Sequence, residues 1–294
     1  MPIEVDLVLV TYFPDRKRLK EGLVSVANQV RNLILVSNNP DDFSDLDMKL
    51  IHLDLKGNKG IGFAQNIGIQ KALSLGAHFI VTSDQDTIYP NGYVNALLGV
   101  FEQKTQLGTK VGAVGPVFLD ENRLSKIHPM VKFGKTGLIK FVEKGQISSV
   151  SHLISSGMLI PSISMQTIGL MKEDFFMDWV DTEWCWRAVK LGYEILQVPS
   201  IVVSHTLGNS SKDLFVFSVT NHSYPREYFK IRNAFFLLQD ANFGSFPIRF
   251  YLLTFLGKNL AVNFVKGFKN IIYFKVVFLS ILHGIGSKSG PCPF

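Results

Sequence analysis

A chain of 294 residues with 47% apolar and 18% charged side chains is long enough to bury roughly three quarters of its unfolded surface, as one large domain or one and a half. Its two cysteines, Cys185 and Cys292, exclude a disulfide scaffold, lack the paired spacing of a zinc site and read as reduced thiols. The net charge of +6 belongs to the tail: after Asp240 there is no Asp or Glu, while Arg249, Lys258, Lys266, Lys269, Lys275 and Lys288 are all positive.

The opening Met1-Pro2-Ile3-Glu4-Val5-Asp6 has no basic stretch before an apolar run. It reads as the approach to a strand and not as a secretory signal, which predicts a cytosolic chain. Short β-prone runs at Asp6 to Thr11, Leu33 to Val36, Leu50 to Leu53, His78 to Thr82 and Val111 to Val117 alternate with helical patterns, the signature of a mostly parallel sheet with crossover helices. Pro14 is expected to open the first helix, whose apolar face repeats at Leu19, Leu23, Val26 and Val30.

The run Asn58-Lys59-Gly60-Ile61-Gly62-Phe63-Ala64-Gln65-Asn66-Ile67-Gly68 places glycines at a strand-to-helix turn, where amide groups can approach a ligand. It matches neither the P-loop nor the dinucleotide fingerprint, and a plain tight turn reads equally well. Asp84-Gln85-Asp86 closes a strand just before Pro90-Asn91-Gly92. Two carboxylates there could present Mg²⁺ or Mn²⁺ to a diphosphate, since hard cations take oxygen ligands and ligands gather at the carboxyl ends of strands. The alternative is an ordinary acidic turn or helix cap.

Between Leu119 and Ser151 no period holds, and the segment reads as a loop or an irregular β excursion. The run Phe175-Phe176-Met177-Asp178-Trp179-Val180-Asp181-Thr182-Glu183-Trp184-Cys185-Trp186-Arg187 sets three carboxylates among five aromatic rings. Apolar surroundings raise a carboxyl's pKa and a nearby Arg lowers it, so such a place can tune a general base. Glu183 and Arg187, at i and i+4, also read as an intrahelical ion pair. Asp181 is expected at the helix entrance, and His205 at the end of the strand Ile195 to Ser204, where it completes a metal or diphosphate site or is simply structural. The tail from Phe246 to Leu282 is helical in composition but interrupted by basic residues. It reads as amphipathic helices in a membrane interface, or as helices packed on the core or on a second copy, rather than as a transmembrane span. Its Phe and Leu content and the lack of Arg clusters disfavour nucleic acid.

The ordered set formed by Val8-Leu9-Val10-Thr11-Tyr12, the Asn58 to Gly68 run, Asp84-Gln85-Asp86, Ser156-Gly157-Met158, Trp179-Val180-Asp181-Thr182-Glu183-Trp184-Cys185-Trp186-Arg187 and His205 resembles the family 2 glycosyltransferases of GT-A fold over about residues 5 to 210. Within them the Trp179 segment, Tyr228-Phe229-Lys230-Ile231-Arg232-Asn233 and the tail ending His283-Gly284-Ile285-Gly286 are similar to bacterial rhamnosyltransferases of O-antigen and capsule assembly. The resemblance implies an α/β GT-A domain, with residues 1–118 as the nucleotide-sugar half, 119–240 as the acceptor and catalytic-base half, and 241–294 as a helical extension for a membrane interface or dimerisation. It implies Asp181 as catalytic base with Glu183 and Arg187 in support. Thr11, Tyr12, Ser37, Asn38, Asn58, Gly62, Asn66 and Asp84 would lie on the donor, Gly157 and Trp179 on the acceptor, and Asp86 with His205 on Mg²⁺ or Mn²⁺. Where the family has an Asp after its second strand, this chain has Ser37-Asn38-Asn39, so the carboxylate that reads a pyrimidine N3–H is missing. The expected activity is inverting transfer of a sugar, L-rhamnose from dTDP-rhamnose, to a hydroxyl of a lipid-linked saccharide at the inner face of the plasma membrane. A UDP-sugar such as UDP-galactofuranose is the alternative donor. A non-catalytic nucleotide-sugar or glycan binding subunit is the alternative class.

Overall fold

The computed structural model of the chain describes residues 3–120, 126–127, 131–133, 139–141, 145–205, 211–214, 217–220 and 223–294. The strands are β1 (Val5–Thr11), β2 (Asn32–Ser37), β3 (Ile51–Asp54), β4 (Phe79–Asp84), β5 (Val111–Asp120), β6 (Lys126–Ile127), β7 (Val131–Phe133), β8 (Ile139–Phe141), β9 (Ser148–Val150), β10 (Met158–Pro161), β11 (Glu194–His205), β12 (Ser211–Leu214) and β13 (Phe217–Thr220). The helices are α1 (Arg16–Val26), α2 (Ile61–Ser74), α3 (Tyr93–Gln106), α4 (Ser162–Ile168), α5 (Val180–Lys190), α6 (Tyr224–Gln239), α7 (Phe246–Gly267) and α8 (Ile272–Ile285).

The central sheet runs β3-β2-β1-β4-β10-β5-β11-β9, with β6 on β5. β1 pairs in parallel with both β2 and β4, Val8 opposite Ile34 and Thr82. β10 is antiparallel to β4, and β5 pairs in parallel with β11. β1 and β4 are buried along nearly their whole length, which is why they read as continuous apolar runs. The chain leaves β1 toward β2 on one side and returns to β4 on the other, so a crevice opens beyond the carboxyl ends of β1 and β4. Thr11 and Asp84 stand at those two ends.

The five strands expected in the first half are present with small shifts at their ends. The first helix starts later than Pro14 suggests. Asp15 is its N-cap, accepting from the Arg18 N–H at 3.1 Å, and a side-chain acceptor decides a helix start over a proline two residues upstream. Leu19, Leu23 and Val26 are buried as expected, but the helix ends at Val26 and leaves Val30 beyond it.

The C-terminal helices are part of the fold. Leu252 and Leu256 of α7 join the main core, and Val276 of α8 packs with Phe176, Tyr228 and Phe229. Glu227 is buried and accepts from Asn263 Nδ2 at 3.1 Å, while Gln239 donates to the Gly284 carbonyl at 2.7 Å. The outer faces of α7 and α8 nonetheless expose Phe250, Phe264, Phe268, Ile271 and Phe278, with Phe268 75% accessible. Among the described residues no helix is long and apolar enough to cross a membrane.

Candidate active site

A cleft of about 590 Å³ lies over the carboxyl ends of β1 and β4. It is lined by Thr11, Tyr12, Asn38, Asn58, Gly60 and the Asp84–Asp86 turn, and by the segment 176–182 with Arg226, Lys230, Tyr251 and Phe255. Four carboxylates, Asp84, Asp86, Asp178 and Asp181, face two cations, Arg226 and Lys230. Such a cleft repels a bare diphosphate and favours one that arrives with a divalent cation.

At the end of β1 Thr11 is fully buried, and its Oγ1 has no hydrogen-bond partner among the described residues. The Tyr12 N–H donates to Gln85 Oε1 at 2.8 Å, tying the end of β1 to the acidic turn. Asn38 Oδ1 accepts from the Lys59 N–H at 2.8 Å and Asn58 Oδ1 from the Gly60 N–H at 3.0 Å. Asp84 accepts from Ser156 Oγ, and the Asp86 carbonyl accepts from Arg18 Nε at 2.9 Å.

Gly60 caps α2 at φ +89, and a Cβ there would lie 2.7 Å from the Phe176 carbonyl oxygen. The turn before α2 is thereby pressed against the loop around Phe176. That loop is conformationally strained: Phe176, Asp178 and Trp179 have φ of 61, 58 and 68, each costing on the order of 1–3 kcal/mol. α6 holds it in place. Asn233 Nδ2 donates to the Phe175, Met177 and Asp178 carbonyls at 2.9, 2.7 and 3.1 Å. Arg232, fully buried, donates to the Asp174 and Phe175 carbonyls and to Gly290 near the C-terminus.

Trp179 serves as N-cap of α5, so Asp181 lies one residue inside the helix and not at its cap. Its Oδ1 accepts from the Thr182 N–H at 2.7 Å and its Oδ2 from the Ser155 N–H at 3.2 Å. Burial, aided by the neighbouring Asp84 and Asp178 and opposed by those two N–H groups, pushes its pKa up to about 6. A carboxyl so placed is a stronger base than a free one and is still ionised at neutral pH. Asp178 pairs instead with Arg226, Nε to Oδ1 at 3.2 Å.

Several residues expected at the site are elsewhere. Ser37 is fully buried and shares a hydrogen bond with His52 Nε2 at 2.8 Å. Asn66 is spent on backbone, exchanging bonds with the Met171 N–H and carbonyl at 2.9 and 3.0 Å, and it reaches Glu173 at 2.8 Å. Gly62 permits close approach to the Lys172 carbonyl, which a Cβ would meet at 2.8 Å. Gly157 lies beneath the cleft, its carbonyl taking the Tyr93 hydroxyl. Glu183 is fully buried in a bidentate pair with Arg187 at 3.0 and 2.9 Å, and Arg187 also bonds the Ile168 and Leu170 carbonyls. These two residues fix the approach to α5 without lining the cleft. His205 ends β11, and its side chain lies outside the described residues.

Conversely, Gln85, Ser155, Asp178, Arg226, Lys230, Tyr251 and Phe255 line the cleft without having been assigned to it from the sequence. Lys230 lay inside a segment already read as family-like, and Asp178 inside the aromatic-acidic run. Tyr251 and Phe255, four apart on a tail helix, carried the spacing of a membrane-facing stripe, and Arg226 carried no signal.

No family profile matches the chain. It is 31% identical over 293 residues to the dTDP-rhamnosyl transferase RfbF of Shigella flexneri, covering 96% of each chain. Among solved structures it superposes on S. aureus TarS 1-349 with a TM-score of 0.56 at 12% identity, covering 96% of this chain and 81% of that one. GalNAc-T7 crystallised with UDP, GalNAc and Mn²⁺ gives 0.56 at 12% identity over 87% of this chain, which spans about half of that protein, 54%. The chain belongs to the family of the Shigella transferase and is a glycosyltransferase of GT-A fold.

Proposed function

We propose that the protein transfers L-rhamnose from dTDP-rhamnose, with inversion, to a hydroxyl of a lipid-linked saccharide. The identity with a dTDP-rhamnosyl transferase along 96% of the chain supports the donor. The observation that carries the mechanism is Asp181, raised to about 6 and fixed by two backbone amides in the cleft that also holds Asp84 and Asp86.

In this reading Asp181 takes the proton of the acceptor hydroxyl as its oxygen attacks the anomeric carbon. The bond from that carbon to the diphosphate oxygen breaks on the opposite face, and dTDP leaves. No enzyme-bound sugar forms. Thr11 offers its unpartnered hydroxyl to the nucleotide. Asn38, whose Oδ1 is held by the Lys59 N–H, lines the cleft, and its amide N–H groups would donate to a pyrimidine carbonyl, a different way of reading the base from the absent carboxylate at Ser37.

Among the described residues no three His, Cys, Asp or Glu side chains converge as a metal cage. Mg²⁺ and Mn²⁺ do not require one, since one or two carboxylates plus substrate phosphates and water complete their shell. Asp84 and Asp86, in a cleft with two more acids than bases, fit that pattern, with Asp86 the principal ligand. Such a cation would neutralise charge on the departing diphosphate.

Peripheral attachment to the inner face of the plasma membrane is supported by the exposed Phe264, Phe268, Ile271 and Phe278 together with the acid-free basic tail. A second copy of the chain is the competing occupant of the same face. The deciding experiment is a donor screen with purified protein and Mg²⁺ or Mn²⁺, reading nucleoside diphosphate release. Release from dTDP-rhamnose above all other donors is expected. Preference for UDP-galactofuranose would replace the donor, and release from none would refute the enzyme reading.

A further inference from the structure

Lys230 is a cation of the cleft that makes no ion pair among the described residues. Asp178 is taken by Arg226, and Glu227 by Asn263 and Lys266. Among the described residues no carboxylate oxygen lies within ion-pair distance of the Lys230 ammonium, and burial lowers its pKa. An ammonium held partly out of water without a partner is unfavourable unless an anion arrives with the ligand.

Its surroundings suggest whose anion that is. Trp179 Nε1 donates to the Lys230 carbonyl at 3.1 Å, so the indole and the start of the lysine side chain are fixed together. Phe255 packs edge-on to Trp179 with ring centroids 4.8 Å apart, and Tyr251 lies 6.2 Å from the same ring. All four residues line the cleft, and none belongs to β1, β4 or the acidic turn. Lys230 lies one turn of α6 beyond Arg226, the cation that meets Asp178.

We propose that Trp179, Tyr251, Phe255 and Lys230 form the acceptor subsite, the rings lying against the apolar face of a sugar and the ammonium binding a phosphate group that the acceptor carries. The proposal rests on the glycosyl-transfer reading and adds to it a role for α7: the C-terminal extension supplies two residues of the site, Tyr251 and Phe255, so acceptor recognition and the surface-exposed apolar helix are built on one element. A phosphate at Lys230 has two possible sources, the acceptor or the donor, and the test separates them.

Binding of dTDP with Mn²⁺ is measured first by calorimetry. Farnesyl diphosphate is then titrated into protein saturated with dTDP, with farnesol as the uncharged control. The wild type is expected to bind farnesyl diphosphate more tightly than farnesol. Lys230→Met should weaken farnesyl diphosphate by about tenfold or more while leaving farnesol and dTDP unchanged, and Lys230→Arg should restore most of the loss. Equal binding of farnesyl diphosphate and farnesol by the wild type would overturn the proposal. So would a Met variant that loses dTDP affinity while keeping farnesyl diphosphate, since the lysine would then serve the donor. Failure of the wild type to bind dTDP at all would count against the donor reading, an outcome separate from either.

Discussion

Replacing Asp181 with Asn should silence the enzyme and stabilise the fold. The carboxyl is raised from an ordinary value near 4 to about 6, chiefly by burial. Two units correspond to roughly 3 kcal/mol of cost for holding the ionised form in the native state. The cleft remains open to solvent at this residue, so about half of that is a better figure. Asn keeps the shape but can accept from only one of the Ser155 and Thr182 amides, a loss on the order of 0.5 kcal/mol. The net expectation is a variant about 1 kcal/mol more stable than wild type at pH 7.5, with turnover reduced by roughly 10² to 10⁴.

The sign of the pH dependence makes this specific. Between about 4 and 6 the native state binds the proton that the unfolded chain has already released, so wild-type stability from this group increases as pH falls through 6. The penalty is complete above 6 and gone near 4. Asn has no such titration. Equilibrium urea unfolding of both proteins should therefore show the gap at pH 7.5 shrinking by roughly 0.7 kcal/mol at pH 5. A gap equal at the two pH values, or an Asn variant less stable at pH 7.5, would refute the burial argument. The same ionisation predicts wild-type kcat/KM rising through about pH 6, a value an ordinary surface carboxylate would not give.

Asp86→Ala should abolish turnover and Mn²⁺-dependent dTDP binding with little change in thermal stability, because the side chain faces the cleft. Excess chelator should reproduce that loss in the wild type, and full activity in chelator would remove the metal. Glu183→Ala leaves Arg187 without its bidentate partner in a buried place, so it should cost about 3–5 kcal/mol. Thermal melting reads this directly, and a near-neutral change would show that the pair is not structural. Phe268→Glu with Ile271→Glu places acid on two of the most exposed apolar positions of the tail, 75% and 71% accessible. Flotation with anionic vesicles at low salt should be lost while nucleoside diphosphate release with a water-soluble acceptor persists. Wild type that stays in the soluble fraction would favour the second-copy reading of that face.

The strands and the acidic turn were legible because their signals are local. A run of β-branched residues ending in Asp84-Gln85-Asp86 states both its conformation and the face it ends on. Asp181 stood out for a related reason, as a carboxylate among rings, although Glu183 of the same run is committed to Arg187. What misled was chemistry that serves packing. Asn66, Ser37 and Gly62 have the residue types of a nucleotide site, yet each is committed to a partner distant in sequence, Met171, His52 and the Lys172 carbonyl. Nothing in the sequence within a few residues of these positions reveals such partners. Lys230 was hidden for the converse reason: a lone lysine on a helix reads as solvated until its neighbours are known.

The tail shows how one stripe of aromatics can be divided among three tasks. Leu252 is buried in the core, Phe255 faces the cleft, and Phe264 and Phe268 face outward, although all recur at spacings that a single amphipathic face would show. The strained segment from Phe176 to Trp179 explains why the division is needed. Its left-handed residues persist only if the surroundings over-determine them. Its carbonyls are bound by Asn233 and by Arg232, whose guanidinium also reaches the Gly290 carbonyl. The last residues of the chain are thus two hydrogen bonds away from the loop that presents Asp178, Trp179 and Asp181. A chain ended near Asn242 would lose Leu252, Leu256 and Val276 from the core, the partner of Glu227, and the Tyr251 and Phe255 wall together. Membrane binding is accordingly to be tested by substitution on the outer face of α7 and α8, since deletion would remove the support of the loop from Phe176 to Trp179 along with the surface in question.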